Sequence, residues 1–172
     1  MSSETVRRSV AVGLVLLSAL GGLLVIAACR HPPTDEEQVR ALLDDAARAV
    51  EEKRIGDAVR DVSERFHGEG LDRREVKQLV AAHVLRGTWV SATIAGAKVD
   101  VRGDLARAAC DVVLSRSGKG TPLAQLLPEQ ASVHRFLLDL AREGGKWKVV
   151  GARWRPVTLE EAAAGPELPV DP

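Results

Sequence analysis

The sequence predicts an α+β domain in which three N-terminal helices pack on a four-stranded antiparallel sheet. Three observations carry this. Apolar residues recur at helical spacing between Thr34 and Arg86, the pattern turns toward alternation after Arg86, and Glu143-Gly144-Gly145 separates two long alternating segments as a hairpin turn does. Helices first and strands afterwards give segregated layers, where a parallel sheet would need strands and helices in alternation.

The first helix starts at Thr34. Its hydroxyl and the Glu37 carboxylate can satisfy the free backbone donors of a helix start between them. Val39, Leu42, Leu43, Ala46 and Val50 fall on one face, with Arg40, Asp44, Asp45, Arg48, Glu51 and Glu52 mostly outside, which carries the helix to about Lys53. Ile55, Val59, Val62 and Phe66 repeat the spacing in a shorter second helix, stopped by the glycines of "HGEG". Asp72 with Glu75 opens the third, Leu71 can staple to Val76 across that start, and Val76, Leu79, Val80, His83 and Val84 fill its apolar face.

Trp89 to Val101, rich in Thr, Val and Ile, forms the first strand; Arg102-Gly103-Asp104 turns it, and Ala106 to Ser115 runs back. "SRSGKGTPLAQLLPEQ" follows as a loop; its Ser117 to Gly120 lacks the upstream glycine and strand-to-helix setting of a phosphate loop. Ser132 to Arg142 and Lys146 to Arg155 are the last two strands. Residues 157–172 are Ala-, Glu- and Pro-rich with little to bury, and are expected to form a disordered acidic tail. No repeat extends beyond the two hairpins.

Ahead of the domain, Arg7 and Arg8 precede an uncharged run from Val10 to Ala28 that ends in small residues, the order of a secretory signal. The run is also long enough to cross a bilayer, so an uncleaved single-pass anchor is the competing reading. Ile26-Ala27-Ala28-Cys29 resembles the lipobox of bacterial lipoproteins. That resemblance implies a signal peptide over residues 1–28, cleavage before Cys29, and attachment of diacylglycerol to the Cys29 thiol, with a palmitate-type chain on the new amino group. Residues 29–33, with His31-Pro32-Pro33, then form a stiff lipidated linker to a domain at 34–156. Several acyl chains need no protein helix to hold the membrane. Arg30 stands where an aspartate would signal inner-membrane retention, which favours an outer-membrane anchor facing the periplasm over an inner-membrane one.

With 24 basic and 24 acidic residues the chain has no net charge, so broad attraction to nucleic acid or anionic lipid has no support. Two cysteines, one of them the lipidation candidate, leave Cys110 unpaired and allow no disulfide framework. Neither they nor the four scattered histidines have the spacing of a zinc or haem site, and no metal or cofactor is expected.

The element order, together with "RDVSERFHGEGLDRREVKQLVAAH", "VDVRGDLARAACDVVL" and "FLLDLAREGGKWKVVGARW", resembles the nuclear-transport-factor-2-like superfamily over residues 34–156. The resemblance implies a curved sheet wrapped around the long helix as a cone, with an apolar cavity inside. It also implies an outer sheet face open to a homodimer partner or another envelope protein. Ketosteroid isomerases of this superfamily use an aspartate base and a tyrosine donor. This chain has no tyrosine, and its first helix offers only Leu, Ala and Val inward.

Alternation places Ala106, Ala108, Cys110, Val112 and Leu114 on one face and Arg107, Asp111 and Ser115 on the other; His134, Phe136, Leu138 and Leu140 point inward, Arg135 and Asp139 outward. The face of Asp100 is left open. His83 and His134 could therefore reach one cavity, where an imidazole can act as general base at neutral pH. The plainer reading is a pair of boundary residues, since no group that would orient a base is visible. Cys110 reads as a small buried thiol before it reads as a nucleophile. Trp89, Trp147 and Trp154 either line the cavity or complete a core poor in aromatics. With no catalytic set assigned, the expectation is a lipid-anchored envelope protein binding a small apolar ligand or a protein partner. The alternative is an isomerase or dehydratase-type enzyme using His83 or His134.

Overall fold

The computed structural model describes residues 32–87, 91–116 and 131–169. Thr34–Pro172 form one compact unit, separate from Met1–Pro33, and every helix, strand and core residue described below lies in it. Cys29, the lipobox residues Ile26, Ala27 and Ala28, Trp89 and the "SGKG" turn lie outside the described residues. Among the described residues no helix is long and apolar enough to cross a membrane.

Helix α1 (Asp35–Glu51) begins as its sequence dictates: Thr34 Oγ1 accepts from the Glu37 N–H at 3.2 Å, and Glu37 Oε2 accepts from the Thr34 N–H at 2.7 Å. Its apolar face buries Val39, Leu43 and Ala49. The expected second helix is corrected. It consists of one turn, α2 (Ile55–Ala58), and then a strand, β1 (Val62–His67), running parallel to β5 (Lys146–Val157). The apolar spacing fits a helix, but so short a helix gains little by itself, whereas the edge of β5 offers unpaired backbone groups. The Val149 N–H donates to the Asp61 carbonyl at 2.8 Å, and buried Ser63 donates its hydroxyl to Glu143 Oε1 at 2.9 Å.

Helix α3 (Arg73–Leu85) has the Asp72–Glu75 cap in both directions. The antiparallel strands β2 (Ser91–Arg102), β3 (Leu105–Ser115), β4 (Ala131–Glu143) and β5 follow, so the sheet has five strands, not four, in the order β1-β5-β4-β3-β2. Irregularities between Ile94 and Gly96 in β2 and between Val149 and Gly151 in β5, opposite Asp139 and Leu140, break the ladders; such bulges sharpen twist and curve a sheet. Gly144 and Gly145 hold φ of 57° and 78° in the two-residue turn before β5, a geometry that favours glycine.

The concave face of the sheet closes on α1. Val39 and Leu43 meet Ala106, Ala108, Cys110, Leu138, Leu140 and Trp147 in one core, and Phe66 joins it from β1. Arg142 connects the two layers at one end, donating to Asp35 Oδ1 at 2.5 Å while its guanidinium lies 4.5 Å from the centre of the Trp147 ring.

The tail also departs from expectation. Thr158 and Glu161 form a further capping box, and α4 (Leu159–Ala164) follows it. The guanidinium of Arg135 donates to the Glu161 and Gly165 carbonyls at 2.9 and 3.0 Å, and Pro166 is buried beside Gly96 of β2. Too few apolar residues remain for the segment to fold alone; the sheet's outer face supplies what the sequence composition lacks.

Candidate functional site

Between α1, α3 and the concave sheet lies a cavity of about 550 Å³, within the usual range for small-molecule sites. Leu43, Ala46, Ala47 and Val50 of α1 form one wall, and Val76, Leu79, Val80 and His83 of α3 another. The sheet supplies the floor in cross-strand rows, because every second residue of each strand faces the same way. Ala92, Leu114 and Ser132 make the row nearest the start of β4; Ile94, Val112 and His134 make the next; Cys110, Phe136 and Trp154 the one after. The Phe136 and Trp154 rings lie 5.9 Å apart, tilted by 30°.

Four of the side chains singled out from the sequence therefore meet in one place: His83, His134, Cys110 and Trp154 all line this cavity. Trp147 is instead buried in the core beneath Arg142. Polar groups gather at one end. The His134 Nε2 and Ser132 Oγ are 3.2 Å apart, and His83, in the last turn of α3, lines the same cavity. Burial, and then the nearby His83, lower the pKa of His134 from its ordinary value. Burial, with a smaller contribution from Asp111, pushes the Cys110 thiol up to about 12, so it carries no thiolate at neutral pH.

Among the described residues lining the cavity there is no Asp, Glu, Lys or Arg. Asp100 stands opposite Arg107 on the outer face and pairs with Arg102 at 2.9 Å. Asp139 is half exposed, across from Arg107 at 3.5 Å. Among the described residues no cluster of three His, Cys, Asp or Glu could hold a metal ion.

Sequence reasoning missed the strongest polar feature of the sheet. Asp111, expected to face away from the cavity, does so, yet it is fully buried. Arg135 donates from Nε and Nη2 to its two oxygens at 2.7 and 2.8 Å, and α4 with Gly165 closes over the pair. The signal was the T-x-x-E box at Thr158, which marks a helix where composition alone indicates disorder. A smaller groove of about 290 Å³ is lined by the charged Asp100, Arg102, Arg107 and Asp139 together with Leu105 and Val150.

No protein-family model and no curated protein sequence matches this chain. Solved structures do. A nuclear-transport-factor-2-like protein with a cystatin-like fold from Novosphingobium aromaticivorans is similar at a TM-score of 0.57 and 19% identity, over 86% of this chain and 94% of that one. A nuclear-transport-factor-2-like protein of unknown function from Pseudomonas putida gives 0.56 and 16%, over 82% and 100%. Bd1075 of Bdellovibrio bacteriovorus gives 0.54 and 10%, over 70% of this chain, which spans only 40% of the length of that protein. At these identities the likeness speaks to architecture alone. The chain thus has the nuclear-transport-factor-2-like, cystatin-like α+β fold, with a curved five-stranded sheet.

Proposed function

We propose that this chain is a lipid-anchored protein of the bacterial envelope, held at the outer membrane through Cys29, whose domain binds a small apolar molecule in the cavity between α1, α3 and the sheet. The observation that carries the binding role is the lining: Leu, Val, Ala, Ile and Phe side chains surround about 550 Å³, with few polar groups among them. The anchor rests on the lipobox-like Ile26-Ala27-Ala28-Cys29. A small ligand is favoured over a protein partner or a homodimer on the outer sheet face, because α4 and Pro166 already occupy part of that face.

The reading is tested on the Thr34–Pro172 unit, which contains its own core. A neutral apolar dye, N-phenylnaphthylamine, is expected to brighten on binding the unit and to stay dim with Ala47→Trp, which fills the cavity. Equal brightening with both would place the dye elsewhere and remove the basis of the proposal. Intact mass of the full chain from a bacterial envelope tests the anchor: retention of Met1 to Ala28 would replace the lipid by an uncleaved helix.

The enzyme reading keeps one observation in its favour, the shared position of His83 and His134. Among the described residues lining the cavity no carboxylate stands beside them, so an isomerase or dehydratase role ranks second.

A further inference from the structure

The two helices that wall the cavity are held unequally. Helix α1 buries Val39, Leu43 and Ala49, and it is tied to the sheet by Arg142, which donates to Asp35, and by its own Arg40, whose Nη1 donates to the Ala97 carbonyl at 2.8 Å. Helix α3 buries only Val84, in its last turn. Its start is fixed: Gly68 and Leu71 exchange backbone hydrogen bonds of 3.2 and 2.8 Å just ahead of it, Arg73 donates to Glu64 of β1, and Val76 packs against the main core. Beyond Val76 the inner face turns to the cavity, which Leu79, Val80 and His83 line, and Leu79 keeps 36% of its surface exposed.

Resting on the binding role proposed above, we infer that α3 is the door of the cavity: it turns about the Gly68–Leu71 end, is latched at the other end by Val84, and closes on the ligand it admits. A short helix owes most of its stability to the apolar face it packs. Opening α3 withdraws one buried side chain, whereas moving α1 or the central strands takes the core apart. The door therefore opens at a smaller free-energy cost than either. Glu69 and Gly70 hold φ of 51° and 76° in a tight turn that keeps the helix start beside β1 while the far end moves. An apolar ligand gives Leu79 and Val80 a surface to pack against, and so favours the closed position.

Amide exchange of the Thr34–Pro172 unit, followed by mass spectrometry with and without N-phenylnaphthylamine, tests the door. In the free unit the α3 amides are expected to exchange at least about tenfold faster than those of α1, and bound dye to slow α3 while leaving α1 as it was. Val84→Ala removes two carbons from the latch, and is expected to raise both α3 exchange and the rate of dye release roughly tenfold. Exchange in α3 as slow as in α1, or unchanged by bound dye, overturns the door and leaves the cavity standing as a binding site. Failure of the dye to bind at all overturns the binding role and this inference with it. The exchange comparison on the unaltered unit does not depend on the variant folding.

Discussion

Arg135 holds Asp111 through two parallel bonds of 2.7 and 2.8 Å on the outer side of the sheet, and the same guanidinium holds the Glu161 and Gly165 carbonyls. Asp111 is wholly buried, whereas the Arg135 side chain keeps 14% of its surface exposed. The two partners are therefore not equivalent. Arg135→Ala strands a carboxylate away from water and is expected to cost about 3–5 kcal/mol. Asp111→Ala leaves a cation with two carbonyl acceptors and some water, and is expected to cost distinctly less. Urea unfolding of both variants checks this; equal losses would mean that Asp111 reaches water when its partner is removed.

The C-terminal segment follows from the same contact. Ending the chain after Val157 removes two carbonyl partners of Arg135, each bond to a charged group contributing about 1.5 kcal/mol or more. The shortened chain is expected to unfold at lower urea, with faster amide exchange in β4. Thr158→Ala, which removes only the cap of α4, is expected to cost about 1 kcal/mol or less and to raise exchange in α4 alone. A truncated chain as stable as the full one would show that the segment adds nothing to the sheet.

Gly68 sits where the chain after β1 passes against β5. A Cβ there would lie 2.4 Å from the Ala152 carbonyl oxygen and 2.7 Å from Phe66 Cζ, in the main hydrophobic core. The backbone atom cannot give way as a flexible side chain would. Gly68→Ala is expected to destabilise by about 1–3 kcal/mol, read from thermal or urea unfolding, while Gly56→Ala, which meets nothing within 4 Å, serves as the tolerated control.

Cys110 is expected to resist thiol reagents in the native protein. Its thiol is pushed up to about 12 by burial, and the thiolate is the reactive form. Labelling of the Thr34–Pro172 unit with Ellman's reagent at pH 8 should follow unfolding, not precede it. Fast stoichiometric labelling of folded protein would show the cavity open enough to ionise the sulfur.

His134 makes stability pH-dependent in a definite direction. Its folded pKa lies below the ordinary 6.5 because of burial and His83, so between the two values the unfolded chain binds the extra proton. Stability at neutral pH is then lost as pH falls below about 6.5 toward the folded value, and becomes level for this group beneath it. His134→Asn should flatten that part of the profile; an unchanged slope would assign the loss to other groups.

The division between what was legible in the sequence and what was not follows the range of the interactions. Thr34–Glu37 and Asp72–Glu75 marked helix starts because a cap is a contact across three residues, and Gly144-Gly145 marked its turn because φ is a local property. Alternation placed Cys110 and His134 on the inner face, since side-chain direction in a strand needs no partner. Val62 to His67 was misread because its conformation is decided by the edge of β5, far along the chain, and helical spacing is compatible with either outcome. Asp100 could be placed only once the register with Arg107 was known. The Asp111–Arg135 pair depends on the β3–β4 register and on a tail whose composition gave no reason to expect a docked helix.

Native mass spectrometry of the full chain purified from its own host tests the central claim most directly, with Ala47→Trp measured beside it. The unaltered chain is expected to carry a small apolar molecule that survives transfer into the gas phase, and the cavity-filled variant to carry none. A chain found empty, or one bearing the same adduct with the cavity filled, would contradict a binding role for the space between α1, α3 and the sheet.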